Sequence, residues 1–259
     1  NYAQKNISKK LSNAIIKACD HIIDNPDHYI DEFPVPVFQT GSGTQTNMNV
    51  NEVVANKANE ILGAKLGTYQ FVHPNDHVNM SQSTNDTFPT AILVGSAISA
   101  EDNLLPALEM LEKSLLKKSK EFHAIIKVGR THLQDATPIR LGQEFSGYAS
   151  MIKYDIVRVK NAMKECTDLP IGGTAVGTGI NTIQGFDELM CSFLSEETGI
   201  SFKVCKNKFE LLSSQNAITN LSGQIRISAG SLNKIANDIR WLASGPMAGI
   251  GELILPSNE

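Results

Sequence analysis

The sequence predicts a mainly α protein, an elongated bundle of long antiparallel helices with a smaller, loop-rich N-terminal domain. Three observations predict it. Apolar residues recur at spacings of three and four over 88–118 and 141–166, the signature of amphipathic helices. From Lys208 to Ala243 they keep a seven-residue repeat, on the order of 50 Å of helix at 1.5 Å per residue, too long for a small monomeric domain. Residues 64–82, by contrast, show no periodicity. A boundary near Asn85 therefore divides the chain into an N-terminal domain, 1–85, and a central long-helix domain, 86–259.

Taken in order, Ile7, Leu11, Ile15, Ala18 and Ile22 predict an amphipathic helix over 1–24, ended by Asn25, Pro26 and Asp27. Pro34 and Pro36 make 33–38 extended. A glycine-serine loop at 41–44 leads to a short helix over 48–62 that closes at Gly63. From Thr87 the pattern is helical for about thirty residues, with Pro106 kinking the helix without ending it. The next helix, 141–166, has Phe145, Tyr148, Ile152, Ile156, Val159, Met163 and Cys166 on one stripe. A glycine-rich connection covers 170–182, and a helix over 186–198 ends at Gly199. In the last helix, Leu211, Ser214, Ile218, Leu221, Ile225, Ser228, Leu232, Ile235, Ile239 and Leu242 form the stripe, and Gly245-Pro246 stops it. The small residues Ser222, Gly223, Ser228, Ala229, Gly230 and Ser231 allow close approach of neighbouring helices, including helices of another subunit.

At 259 residues and a formal net charge of −4, the chain can bury a sizeable core. It has no basic run with interleaved aromatics, which argues against nucleic acid. Its longest apolar stretch, near 88–100, is too short to span a bilayer. Cys19, Cys166, Cys191 and Cys205 lack ligand-like spacing and read as reduced thiols, which suits the cytoplasm. The chain starts inside a helical pattern at Asn1 and so looks truncated; a transit peptide for the mitochondrial matrix could precede it.

Three stretches carry chemistry. Residues 129–138 pack a hydroxyl, an imidazole, an amide and a carboxylate between an apolar run and a helix. Alone, His132 reads as a turn histidine; it reads as a proton-transfer group because 41–47 and 81–86 have the same polar character. Each of those two places hydroxyls and amides before a helix, where unpaired backbone N–H groups attract anions. The loop at 41–47 lacks the Lys-Ser/Thr ending of a phosphate loop, and 177–179 lacks a preceding strand and a third glycine. Pro74 makes a helical His73–His77 metal pair awkward, so no metal is expected there. The remaining set, Ser42, Thr44, Ser83, Thr84, Asn85, Thr131 and His132, suits acid–base chemistry on a small carboxylic acid.

At these residues the chain resembles class II fumarases of the fumarase/aspartase superfamily. The resemblance runs through 41–52, 73–79, 83–89, 129–138 and 244–246 in the family's order. Gln45 and His132 stand where aspartase-like sequences tend to carry Ser and Gln. The resemblance implies reversible addition of water to fumarate, giving L-malate, with no metal or organic cofactor. It assigns His132 to proton transfer and Ser42, Gly43, Thr44, Ser83, Thr84, Asn85 and Thr131 to substrate binding. His73, Pro74, Asn75 and Asp76 match a second dicarboxylate site. It also implies a homotetramer built on the long helices, each active site drawing on three subunits. An ammonia-lyase acting on aspartate and a non-catalytic helical assembly are the competing readings. The sequence stops at Glu259, where the family continues into a serine-bearing loop and a C-terminal domain, so the chain by itself is expected to lack activity and still to associate.

Overall fold

Ser8 starts the first helix: its Oγ accepts a hydrogen bond from Leu11 N at 3.3 Å, an N-cap that satisfies one of the helix's free donors. Helix α1 therefore runs over Lys9–Asp24, not from residue 1. Residues before Ser8 form turns, with Lys5 at positive φ, and periodicity alone could not see that interruption. A computed structural model describes residues 1–257. Asn258 and Glu259, the end of the expected central domain, lie outside the described residues.

After α1 come α2 (Pro26–Tyr29), α3 (Thr44–Ile61), α4 (Thr84–Ser99) and α5 (Leu105–Glu121). Strands β1 (Ile126–Thr131) and β2 (Gln134–Arg140) lead into α6 (Leu141–Met163). Then follow β3 (Asp168–Leu169), α7 (Phe186–Thr198), β4 (Lys203–Val204), α8 (Lys208–Ser213) and α9 (Asn216–Leu242). The structure is mainly α, and among the described residues there are two sheets, the β1–β2 hairpin and a short parallel β3–β4 pair.

Of the two helices expected to be continuous, one holds and one is interrupted. From Thr84 to Glu121 the backbone stays helical, with a π turn at Ala100–Leu104 just before Pro106, where the proline's missing N–H is accommodated without ending the helix. The seven-residue repeat of the last helix is broken between α8 and α9. Ser214 is extended (φ −134°, ψ 141°), and its Oγ accepts from Asn216 N at 3.3 Å to cap a new helix. The repeat concealed this break because spacing in sequence says nothing about backbone direction.

The chain divides into two compact units, Asn1–Gly95 with Thr167–Asn216, and Ser96–Cys166 with Ala217–Glu259. These differ from a single cut near Asn85, because 167–216 belongs with the N-terminal part through long-range ties that periodicity cannot report. In the first unit α1 packs on α3 around Ala14, Ala18, Val54, Ala55, Ala58 and Val72. Small alanines at the crossing let the helices approach closely. Asn59 lies in this core at 1 % exposure. Its amide donates to Ala55 O and Val72 O (2.8 and 2.7 Å), while its carbonyl accepts from Phe71 N and Val72 N (2.9 and 3.1 Å). A buried polar group is tolerated only when satisfied in this way, and here it fixes the strand-like segment that leads into His73.

In the second unit α5 and α6 run antiparallel, with Phe122 edge-on to Phe145 at one end and Lys160 paired to Glu109 at the other. Leu141 N and Gly142 N, free donors at the start of α6, bond to Ile125 O and Phe122 O (2.9 and 3.1 Å). Leu105, Leu108, Leu115, Phe145, Ile152, Ile156 and Val159 are buried. From α9, Leu221, Ser228, Ile235 and Leu242 are buried, and Asp238 accepts a hydrogen bond from Tyr148 OH at 3.0 Å. No helix of the described residues is long and apolar enough to cross a membrane.

Replacing Asn59 by Ala would strand two buried amide donors and a carbonyl. We expect a loss of about 2–4 kcal/mol, read as a lower midpoint in urea unfolding.

Candidate active site

The donor set of the first unit is assembled by Asp86, a residue to which the sequence motifs assign no role. Ser83 begins α4 as its cap: Ser83 Oγ accepts from Asn85 N (3.4 Å), and Ser83 N donates to Asp86 Oδ1 (2.9 Å). This reciprocal Ser-x-x-acid arrangement is a capping box, and that spacing was the available signal. The other Asp86 oxygen accepts from Gly172 N and Thr174 N at 2.9 and 2.8 Å, so the glycine-rich connection is pinned beside the start of α4. Asp86 is fully buried, and it survives there as an acceptor of three backbone N–H groups.

Around this anchor lie the expected substrate-binding residues of the first unit. Asn85 reaches across to donate to Ala175 O at 2.7 Å. Thr84 is buried, and its hydroxyl accepts from Asn47 Nδ2 at 2.9 Å while its own proton can donate. Asn47, which also donates to Asn79 Oδ1 at 3.3 Å, is a second organising residue to which the sequence assigns no role. Gly43 precedes α3 at φ +69°, and a Cβ there would lie 2.1 Å from the ring of Phe88 in α4. Only glycine permits that approach, and it carries Ser42 and Thr44 toward the start of α4. The hydroxyls of Thr40, Ser42 and Thr44 form a chain with steps of 3.3 and 3.4 Å. Ser42, Thr44 and Asn85 are exposed. The first unit thus brings together Ser42, Gly43, Thr44, Ser83, Thr84 and Asn85 as hydroxyl and amide donors at two helix N-termini, a combination that receives carboxylates.

His73, Pro74, Asn75 and Asp76 form a self-capped turn over Pro74–Val78. His73 Nδ1 accepts from Asn75 N and Asp76 N at 3.3 and 3.2 Å, and lies 3.4 Å from Asp76 Oδ2. His77 Nδ1 accepts from His73 N at 2.9 Å. These rings are therefore engaged with the backbone of their own turn.

Thr131 and His132 belong to the second unit, at the tip of the β1–β2 hairpin. The sequence reading placed His132 in a turn but did not foresee strands. Thr131 pairs with Gln134, leaving His132 and Leu133 as a two-residue loop with φ of 53° and 60°. That is the left-handed pair a type I′ turn requires, normally supplied by Asn-Gly. A bulge between Val128 and Arg130 contains Gly129, where a Cβ would lie 2.6 Å from Thr137 O. The turn residues His132 and Leu133 are exposed. Below the turn, Glu252 receives Arg130 Nη2 at 2.7 Å and Lys127 Nζ at 2.6 Å, and Lys127 also meets Glu144 at 2.7 Å. Burial alone would push the Glu252 carboxyl up, but the hydrogen bonds and charges of Arg130 and Lys127 outweigh it and hold it below the usual carboxylate range.

Covalent thiol chemistry finds no support here. The four cysteines are unpaired, and burial pushes the Cys166 and Cys191 thiols up to about 11, far from a reactive thiolate near neutral pH.

A family described as lyase matches residues 1–259. The mitochondrial fumarate hydratase of Schizosaccharomyces pombe is 54% identical over 253 residues, covering 98% of this chain and 48% of the relative. The class II fumarate hydratase of Thermus thermophilus is 51% identical over 253 residues, covering 98% and 54%. A crystal structure of class II fumarase from Schistosoma mansoni superposes with a TM-score of 0.96 at 42% identity, covering all of this chain and 57% of that one. The chain spans about half the length of the curated relatives it matches. With its motifs, its helices and a family match from first residue to last, the chain belongs to the lyase family, within the fumarase/aspartase superfamily and on the side of the class II fumarases.

Proposed function

We propose that the full-length protein catalyses reversible hydration of fumarate to L-malate by acid–base chemistry through a carbanion-like intermediate. The observation that carries this reading is identity of 51–54% over 253 residues with proteins named fumarate hydratase. Gln45 and His132 favour the same reading over an ammonia-lyase. Removing a proton beside a carboxylate builds negative charge on that carboxylate, and preorganised donors stabilise it without reorganising. Ser42, Thr44, Ser83, Thr84 and Asn85 supply such donors, fixed by Gly43, Asn47 and Asp86. Thr131 adds a hydroxyl, and His132 handles the proton of the water. The resemblance implies that each working site draws on three subunits, so donors and imidazole need not come from one copy of the chain.

Assembly into a homotetramer through the long helices is part of the proposal. Ile225 and Leu232 of α9 are exposed at 42% and 40%, one seven-residue step apart, and Trp241 is also exposed. Covering a fully exposed side chain of this size contributes roughly 1.5–3 kcal/mol, and covering the exposed part of each of these contributes a corresponding fraction, so this seam favours association with other helices. We place the protein in the cytoplasm or the mitochondrial matrix. The named relatives include mitochondrial and bacterial enzymes.

Following the absorbance of the double bond with fumarate, and separately with aspartate, tests the reaction; turnover of aspartate alone would overturn it. His132→Asn is expected to lower turnover about 10²–10⁴-fold with a smaller effect on substrate binding. For His73→Asn steady-state assays should find turnover close to normal. That turn belongs to the proposed second site, where an incoming carboxylate competes with His73 Nδ1 for the amides of Asn75 and Asp76.

A further inference from the structure

The hairpin that carries Thr131 and His132 is poorly held by apolar packing. Six of the seven residues of β2 are exposed, and the turn itself sets two non-glycine residues in the left-handed region. Each residue held there costs of order 1–3 kcal/mol and persists only when its surroundings over-determine it. The surroundings are ionic. Lys127, with a side chain only 7% exposed, and Arg130 both project from β1 onto Glu252, each taking one carboxylate oxygen.

Glu252 is itself fixed by its backbone. Its N–H donates to Leu242 O at 2.7 Å, and Leu253 N donates to the same carbonyl at 3.1 Å. Gly251 N bonds to Ser244 O at 2.7 Å, and Ile250 N to Ser244 Oγ at 2.9 Å. The carboxylate therefore stands at a defined distance from the C-terminal end of α9. Lys127 keeps a second partner in Glu144. Among the described residues, the other ion pair of Arg130 is with the exposed Asp135, at 4.0 Å. Removing Glu252 would thus release the turn end of β1 while leaving the α5–α6 pair intact.

We propose that Glu252 is a positioning residue for proton transfer, acting through Arg130 and Lys127 to hold the Thr131–His132 turn in its working place. The proposal rests on the reading of His132 as the proton-transfer group. Because the Glu252 carboxyl is held below its ordinary range, the hold is fully present above the usual carboxylate pKa and is lost only as pH falls through the lowered value. Near neutral pH the link is constant.

The test uses the full-length protein. Glu252→Gln keeps the size of the side chain and removes its charge. It is expected to lower kcat roughly 10- to 100-fold, as a displaced catalytic group does, with KM for fumarate changed less than about threefold. Glu252→Asp should recover part of the loss. The decisive reading is the double variant Glu252→Gln with His132→Asn, which should be no slower than His132→Asn alone. Additive losses would overturn the proposal, as would Glu252→Gln with undiminished kcat in a protein that His132→Asn disables. If His132→Asn itself retains turnover, the reading of His132 fails instead, and with it the proposal. Should Glu252→Gln not fold, Arg130→Gln breaks the same link from the hairpin side, and the same double-variant comparison decides.

Discussion

One buried carboxylate organises the donor end of the first unit. Asp86 accepts from Ser83 N, Gly172 N and Thr174 N, three amides from two stretches separated by more than eighty residues. An apolar side chain there would leave those amides without acceptors in a buried place, at a cost of about 1–3 kcal/mol for each. The bond to Ser83 sets where α4 begins, and so where its free N–H groups point. The bonds to Gly172 and Thr174 draw the glycine-rich connection alongside, where Asn85 can reach Ala175. Gly43 against Phe88 then brings a second helix start to the same neighbourhood. The dicarboxylate-binding reading depends on this convergence more than on any one hydroxyl.

The second unit solves its problem with charge in place of a single acceptor. Lys127 and Arg130 on one strand, Glu144 on α6 and Glu252 near the end of α9 alternate in sign. Such a cluster is expensive to desolvate and is held together by good geometry at every member. What it supplies is direction: a turn that local preference disfavours is kept in one conformation.

Much of this was legible in the sequence, and the reasons for the failures are specific. The helix expected over about 186–198 matches α7 because Gly199, a glycine at φ +72°, stops it. The stretches around Ser42, Ser83 and His132 stood out because hydroxyls and amides at helix starts have few structural uses in such number. The hairpin was missed because its turn, His132-Leu133, carries neither Asn nor Gly, the residues that announce a type I′ loop. The break at Ser214 was missed because a seven-residue repeat continues across it. Asp86 shows locally only through its three-residue spacing from Ser83, while its bonds to Gly172 and Thr174 lie beyond any local pattern. Glu252 has no local signal, because Arg130 lies 122 positions away in the chain.

That last separation bears on the order in which the chain takes shape. Strands joined by a turn of low intrinsic preference do not pair early on their own, since the loop offers no local gain to offset the entropy of closing it. The contact that fixes this hairpin, Arg130 with Glu252, spans 122 residues and needs α9 and the loop behind it already folded. Contacts of such long range form late. While the chain emerges from the ribosome, α1 can therefore pack on α3, and α5 on α6, with the hairpin still unfixed, and the ionic hold on the Thr131–His132 turn forms only after residue 252 has been synthesised and docked.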